Sequence, residues 1–222
     1  MDGTLIDSTD GITGAWETFA QTYAGIDIVH ILKSSFGVRT VENLRKYCGI
    51  TDPGKLEEEA IRFEQAIIDT SRITERKGIT ILPGVRPIMD ELLPAKSSPN
   101  QRWGICTSAA RVYATFALEA AGIALPEVFV TADDVKEGKP SPDPYLLGSS
   151  KCGFEPWECL VIEDAPAGVR SGLSAGYKVI GLLTTHSRQE MEKTHPDFLV
   201  PDLTSVKMKL CQDSIDISVH LE

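Results

Sequence analysis

The sequence lacks the features that mark membrane-spanning, secreted and nucleic-acid-binding proteins. No apolar run approaches the ~20 residues of a membrane-spanning helix, and no basic segment followed by an apolar one opens the chain, so we expect a cytoplasmic protein. Basic side chains are outnumbered, with 22 Lys and Arg against 32 Asp and Glu and a net charge of -10. This acidity argues against nucleic acid or an anionic membrane as partner, because either would need a basic surface.

Cysteine is too scarce and too scattered to build a disulfide framework or a zinc site. Five cysteines occur in 222 residues, and no two of them form a Cys-x-x-Cys pair. An odd, widely spaced set of this kind is expected to stay reduced. The hydrophobic content of 42% is enough for one good core and a small second domain.

Residues 12–80 carry the periodicity of helices. One apolar face recurs at three- and four-residue spacing between residues 11 and 24, which predicts a first helix. A second helix is predicted from Thr40, acting as N-cap, to Gly49, which would end it. A third is predicted from Lys55 to Lys77.

Beyond residue 80, short apolar runs alternate with helical stretches, a pattern typical of a parallel sheet with crossover helices. Strands are predicted at 103–106, 128–131, 159–162, 177–183 and 198–200. Helices are predicted at 85–93, 109–121, 143–152, 166–175 and 187–194. The strict alternation of residues 215–221 predicts a half-exposed edge strand, and the Pro-, Ser- and Lys-rich stretch 93–101 predicts an insertion. The fold class predicted is α/β.

The first eight residues form the most distinctive polar stretch of the chain. Asp2, Gly3, Thr4, Asp7 and Ser8 make a poor helix and a good turn. We therefore interpret this stretch as part of a functional site.

Three further polar clusters follow predicted strands, where open parallel sheets bind their ligands. Each also has a purely structural interpretation. Thr107 and Ser108 could be N-caps of the next helix, and Asp164, after Glu163, could cap a helix that begins with proline. Lys139 could be a solvated lysine in a proline-rich loop.

In their order and spacing, these clusters resemble the signatures of the haloacid dehalogenase superfamily. Asp2-Gly3-Thr4 with Asp7 matches the later part of the first motif of the superfamily, Asp-x-Asp-Gly-Thr-x-x-Asp. The later motifs are matched in order by the Thr107 hydroxyl, by Lys139 in a Gly-Lys-Pro-x-Pro sequence and by the acidic pair of Glu163 and Asp164. Residues 36–40, 135–144 and 162–168 are most similar to fungal 2-deoxyglucose-6-phosphate and glycerol-phosphate phosphatases. The resemblance covers nearly the whole chain. It implies a Rossmann-like core, residues 1–11 and 81–222, with an inserted small α-helical cap domain, residues 12–80.

The resemblance also implies that the 222-residue sequence is truncated at its N-terminus. In the superfamily the nucleophilic aspartate stands two positions before the residue matched by Asp2, at the end of the first core strand. That position falls just before Met1, so the strand and the nucleophile are missing from this chain. Two explanations are possible: the sequence begins at an internal methionine of a longer functional protein, or the short chain is a real product that has lost catalysis. The retention of Lys139 and Asp164 favours the first explanation.

The function implied is hydrolysis of small sugar or polyol phosphates through an aspartyl-phosphate. Asp2 would protonate the leaving alcohol and then take a proton from the attacking water. Thr107 and Lys139 would hold the phosphoryl oxygens, and Ser108 would bind substrate. Arg39 would reach the substrate from the cap, unless it is simply a solvated arginine.

Magnesium is the implied cofactor, and a small phosphorylated metabolite is the implied partner. The Asp2 carbonyl and the Asp164 carboxylate would bind Mg²⁺. Glu163 would be a further ligand or would hydrogen-bond to a ligand. A non-catalytic protein that binds phosphate esters is the alternative from another class. A phosphomutase is a second alternative, disfavoured because Thr4 and Ser8 follow the phosphatase form of the motif.

Overall fold

The computed structural model describes residues 1–32, 35–93 and 102–221. Residues 94–101, which make up most of the predicted insertion, lie outside this description. The helices before residue 80 are α1 (Thr9–Ala20), α2 (Ile28–Leu32), α3 (Thr40–Cys48) and α4 (Pro53–Ser71). We call α1 to α4 the helical segment.

An aromatic cluster holds the helical segment together. Trp16 and Phe19 of α1 pack on Phe63 of α4, with ring centroids 4.6 and 5.0 Å apart. All three rings are buried. Burial of aromatic side chains of this size dominates the energetics of such a core, so α1 and α4 form its central helix pair.

Several predicted boundaries in this segment are wrong. α1 ends at Ala20 rather than near residue 24, and α4 spans Pro53–Ser71 rather than 55–77. Thr40 is not an N-cap: Arg39 occupies that position, and the Thr40 hydroxyl donates to Glu64 instead. The predicted stop at Gly49 is confirmed, with a left-handed φ of 68°.

The range 12–80 is also not wholly helical. A short antiparallel pair joins β1 (Ile6–Asp7) to β2 (Thr80–Ile81). This pair joins the chain where it enters the helical segment to the chain where it leaves it. The paired residues Asp7 and Thr80 are 73 residues apart, so no local periodicity in the sequence predicts the pair.

The predicted alternation of strands and helices is confirmed. The strands are β3 (Gly104–Cys106), β4 (Val128–Val130), β5 (Leu160–Glu163), β6 (Lys178–Leu182) and β7 (Phe198–Val200). The helices are α5 (Val85–Leu92), α6 (Arg111–Ala120), α7 (Asp143–Cys152), α8 (Pro166–Ser174) and α9 (Arg188–Glu192). β3 pairs with β4, and β5, β6 and β7 pair in that order, all parallel.

The parallel strands form two groups with a cavity between them. Within the described residues, β3 pairs only with β4 and β5 only with β6. A cavity of about 820 Å³ lies between β3 and β5, with Ile105, Val161 and Ile162 among its lining residues. No strand pairing joins the two groups within the described residues.

A separate two-stranded ribbon ends the chain. β8 (Val206–Leu210) pairs antiparallel with β9 (Ile215–Val219). The predicted strand at 215–221 is confirmed as β9, but its partner β8 was missed. The described residues contain no helix that is both long and apolar enough to cross a bilayer.

Candidate active site

The N-terminal turn positions Asp2 against the end of β5. The Met1 carbonyl accepts hydrogen bonds from the backbone amides of residues 4, 5 and 6, which closes the turn. Gly3 adopts a φ of +72°, and a Cβ at this position would lie 2.2 Å from an Asp164 carboxylate oxygen. Only glycine allows this conformation and this close approach.

One cavity of about 90 Å³ brings together six of the seven predicted site residues. These are Asp2, Thr107, Ser108, Lys139, Glu163 and Asp164. The seventh, Arg39, does not line the cavity. The predicted roles of these residues stay predictions, but their convergence matches the placement expected at the carboxyl ends of parallel strands.

Lys139 forms a buried ion pair. Its side chain is 4% exposed, and Nζ lies 2.6 Å from Glu163 Oε1 and donates to the Cys106 carbonyl at 2.9 Å. Glu163 Oε1 also accepts from the Tyr145 hydroxyl at 2.6 Å. Burial acts to raise the pKa of Glu163, but the positive charges of Lys139 and the N-terminus, together with the hydrogen bonds from Lys139 and Tyr145, lower that pKa below its usual value. The alternative of a solvated lysine is therefore wrong.

Asp164 is a second buried carboxylate beside this pair. Thr4 Oγ1 donates to Oδ1 and Thr185 Oγ1 to Oδ2, both at 2.7 Å. Burial, reinforced by the neighbouring Glu163 charge, raises the pKa of Asp164. The helix-cap alternative is wrong, since Ala165 is the N-cap of α8.

Asp2 accepts two short hydrogen bonds at one carboxylate oxygen. Ser8 Oγ and the Tyr113 hydroxyl each donate to Oδ1 at 2.6 Å. Burial and the Asp2 charge raise the pKa of Tyr113 well above its usual value, so Tyr113 stays a donor. These bonds fix the orientation of the Asp2 carboxylate in the cavity.

The two hydroxyl residues after β3 do not cap α6, whose N-cap is Ala110. Thr107 N donates to the Val130 carbonyl at 2.9 Å, which holds Thr107 at the end of the β3–β4 pair. Ser108 Oγ donates to the Gly37 carbonyl at 3.0 Å. Ser108 therefore connects the core to the helical segment at the cavity.

Arg39 makes contacts other than those predicted. Its guanidinium donates to the carbonyls of Lys136 at 3.0 Å, Ala132 at 3.2 Å and Val135 at 2.5 Å. The alternative of a solvated arginine is therefore wrong. Substrate binding by Arg39 stays a prediction, and the geometry gives this residue a connecting role between α3 and the loop 132–136.

Sequence reasoning missed Glu64, Tyr113, Tyr145 and Thr185. Glu64 left a visible signal, because it falls on the inward stripe of α4 at helical spacing from Leu56, where an apolar residue is expected. The two tyrosines and Thr185 reach the site only through tertiary contacts, and their local sequence carries no comparable signal.

The donor set suits magnesium better than a softer metal. Asp2, Glu64, Glu163 and Asp164 line the cavity together with the Lys139 ammonium, and a cation would offset this excess of acidic groups. No cluster of three His, Cys, Asp or Glu residues that could enclose a metal occurs in the described ranges. Mg²⁺ needs only one or two protein carboxylates, because it keeps waters and phosphate oxygens as ligands.

Comparisons with known proteins give this fold and site a family. Residues 1–176 match the description haloacid dehalogenase-like hydrolase. The chain is 39% identical over 182 residues to hexitol phosphatase A of Escherichia coli, covering 82% of this chain and 80% of that protein. It is 32% identical over 215 residues to glycerol-1-phosphate phosphohydrolase 2 of Saccharomyces cerevisiae, with coverage of 94% and 82%. The solved structure of a hydrolase from Pseudomonas syringae is similar with a TM-score of 0.72, 27% identity and 91% coverage of each chain.

Proposed function

Because the chain belongs to the haloacid dehalogenase-like hydrolase family, we propose that it is a cytoplasmic phosphatase of small sugar or polyol phosphates. The observation that carries this proposal is the buried ammonium of Lys139, which shares one cavity with the Thr107 hydroxyl and the Asp164 carboxylate. A buried cation beside hydroxyl donors suits a phosphoryl group. The names of two relatives, a hexitol phosphatase and a glycerol-1-phosphate phosphohydrolase, supply the substrate class.

Each of the six predicted site residues that line the cavity has a task in this proposal. Lys139 and Thr107 bind the phosphoryl oxygens, and Ser108 helps to bind the ester. Asp2 gives a proton to the departing alcohol oxygen and later accepts one from the attacking water. The hydrogen bonds from Ser8 and Tyr113 leave the second oxygen of Asp2 for that proton, since both reach Oδ1.

Magnesium, when bound, neutralises charge on the phosphate ester. In this proposal Asp164 and the Asp2 carbonyl hold the ion. Glu163 stands behind them, because its oxygens already accept hydrogen bonds from Lys139, Tyr145 and backbone amides. The cation would also remove the unfavourable environment that raises the pKa of Asp164.

We assign residues 1–11 and 81–222 to the core and 12–80 to a cap in this scheme. The contacts of Ser108 with Gly37 and of Arg39 with the loop 132–136 support a helical cap that closes over the cavity. Closure of this kind excludes water from the reaction.

The proposal also assigns the nucleophile of the reaction. The family pattern places an aspartate immediately before Met1, where it would form the aspartyl-phosphate. We therefore expect the 222-residue chain, used by itself, to bind phosphate esters without hydrolysing them.

The test adds an apolar strand of about five residues before Met1, ending in Asp, with a matched version ending in Asn. Only the Asp version should release phosphate from glycerol 1-phosphate and hexitol phosphates in Mg²⁺, and EDTA should stop the release. Both versions fill the same space, so the comparison isolates the carboxylate.

Other outcomes would point to other functions. A folded Asp version that hydrolyses no ester in a broad panel would favour the non-catalytic binding protein. Transfer of phosphate between positions of a sugar, instead of its release, would favour a phosphomutase. Hydrolysis by the 222-residue chain that disappears in Lys139→Ala would contradict the assigned nucleophile.

A further inference from the structure

Glu64 is a buried carboxylate in the cavity that the proposed reaction does not use. It lies on α4, is 7% exposed, and lines the same cavity as Asp2, Lys139 and Asp164. Buried glutamates are rare unless they are paired, and no salt bridge to Glu64 is present within the described residues. Because Glu64 lies on an otherwise apolar helix face, we expect its carboxylate to bind a group in the cavity.

Only one of the two Glu64 oxygens has a hydrogen-bond partner in the described part of the chain. Oε1 accepts from Thr40 Oγ1 at 2.8 Å and from the Ala110 amide at 3.2 Å. These two donors, one from the helical segment and one from the core, fix the side chain in place. Oε2 keeps its full capacity to accept.

The surroundings of Glu64 differ from those of Lys139. Apolar residues form much of the wall that the helical segment contributes: Ile12, Trp16, Phe63 and Ile67. Asn43, another polar side chain of that wall, already donates its amide hydrogens to the carbonyls of Ser35 and Val38. Glu64 is thus held in place by the bonds to Oε1, and its Oε2 can accept a hydrogen bond from a ligand on the helical side of the cavity.

The cavity also limits the size of what it can hold. Its volume is about 90 Å³, whereas a single water needs roughly 10–15 Å³. We therefore expect a small ester here, with a short carbon chain and a few hydroxyls beyond its phosphate. Above the pKa of Glu64, which burial raises to about 7, a second anionic group beside this side chain would be repelled by its charge.

We propose that Glu64 is a specificity residue that accepts a hydrogen bond from a hydroxyl of a neutral polyol or sugar whose phosphate lies at Lys139. This inference rests on the proposed function and narrows its substrate class to esters with a free hydroxyl and no second anion. A buried acceptor discriminates strongly, because an ester that lacks the hydroxyl leaves the acceptor unpaired.

The test compares two ligands that differ only in hydroxyls, glycerol 1-phosphate and n-propyl phosphate. Their dissociation constants are measured by calorimetry on the 222-residue chain in Mg²⁺ buffer, with inorganic phosphate as a third ligand. Wild-type protein should bind glycerol 1-phosphate more tightly than n-propyl phosphate. Glu64→Ala should reduce that preference about 10- to 100-fold and leave the affinity for inorganic phosphate within about twofold.

Two further variants control the result. Glu64→Gln retains the shape and one acceptor oxygen, so it should fold and reduce the preference by only about threefold. Glu58→Gln changes an exposed glutamate of the same helix and should leave the preference unchanged. If Glu64→Ala does not fold, the role of Glu64 is tested by comparing the ligand preference of Glu64→Gln with that of Glu58→Gln.

The possible failures are distinguishable. Binding of inorganic phosphate with an unchanged preference in the Glu64 variants overturns the role of Glu64 alone. Equal weakening of all three ligands also overturns it, since Glu64 would then only support the fold of the cavity. Absence of binding of every ligand to wild-type protein overturns the proposed function and this inference with it.

Discussion

Lys139 and Lys178 make ion pairs of equal length in very different surroundings. Both have an N–O distance of 2.6 Å, but the Lys139 side chain is 4% exposed and that of Lys178 is 73% exposed. Removal of Lys139 would leave Glu163 as a buried charge without its partner. We expect Lys139→Met to lower the free energy of unfolding by about 3–5 kcal/mol, measured by urea denaturation.

Lys178→Met is the matched control for this prediction. An exposed pair contributes about 0–1 kcal/mol, so the loss should be small. The double change Lys139→Met with Glu163→Gln should recover much of the stability, because it removes the unpaired charge as well. Equal losses in Lys139→Met and Lys178→Met would contradict the buried ion pair.

Glu64 should make the stability of the protein depend on pH. Burial, together with the charges of Asp133 and Asp2, raises the pKa of Glu64 from 4.5 to about 7. Between these values the unfolded chain loses its proton while the folded protein retains it, so stability falls as pH rises from 4.5 to 7. At about 1.4 kcal/mol per pKa unit, the fall due to this group is roughly 3 kcal/mol.

Glu64→Gln removes this titration and leaves the other ionisable groups in place. The difference in unfolding free energy between Glu64→Gln and wild type should therefore grow in favour of the variant between pH 4.5 and 7, and then level off. Urea denaturation across this range measures it. Glu58→Gln should follow the wild-type curve, and a Glu64→Gln curve parallel to wild type would refute the raised pKa.

The sequence located the polar side chains of the cavity better than it located their partners. Asp2, Thr107, Lys139 and Asp164 stand directly after strands or in a tight turn, so local pattern is enough to find them. Their hydrogen-bond partners come from distant parts of the chain: Tyr113 lies 111 residues from Asp2. Only the fold brings such pairs together, and only the structure shows that Ala110 and Ala165, rather than Ser108 and Asp164, are the helix N-caps.

At the scale of elements, Arg39 connects α3 to the loop 132–136. Its three carbonyl acceptors lie more than 90 residues away along the chain. Hydrogen bonds to a charged group contribute about 1.5–3 kcal/mol. We expect Arg39→Ala to lower the unfolding free energy by a similar amount and to speed amide hydrogen exchange in residues 132–136.

Arg45, exposed on the same helix, is the control for this prediction. Arg45→Ala should alter neither stability nor exchange in the loop. If Arg39→Ala leaves exchange unchanged but weakens the binding of glycerol 1-phosphate, Arg39 acts on the substrate, as the family resemblance first suggested.

Element prediction succeeded where periodicity is local and failed where pairing is long-range. The strands β3 to β7 were found because each is a short apolar run between helical stretches. β1 and β2 are two residues each and depend on pairing with one another. β8 did carry a signal, since Val206, Met208 and Leu210 alternate with two lysines, and this period of two was overlooked.

At the scale of the whole molecule, the cavity between β3 and β5 is a large space lined by residues of both strands. It measures about 820 Å³, several times the space at the candidate active site. In the described part of the chain each of its two bordering strands has one paired neighbour, so the other edge of each strand is not paired with a strand. Unpaired edges beside an apolar space are unfavourable, and the molecule should gain from a strand placed there.

We therefore expect the version extended by an apolar strand before Met1 to be markedly more stable than the 222-residue chain. About five buried apolar side chains at roughly 1.5–3 kcal/mol each contribute on the order of 10 kcal/mol, comparable to the whole stability of a typical domain. Thermal unfolding followed by circular dichroism measures the gain, which should be the same whether the strand ends in Asp or in Asn. An extension of equal length made of Gly and Ser cannot fill an apolar cavity and should give no gain. If the Gly–Ser extension stabilises as much as the apolar strand, the added residues act elsewhere and the cavity does not accept a strand.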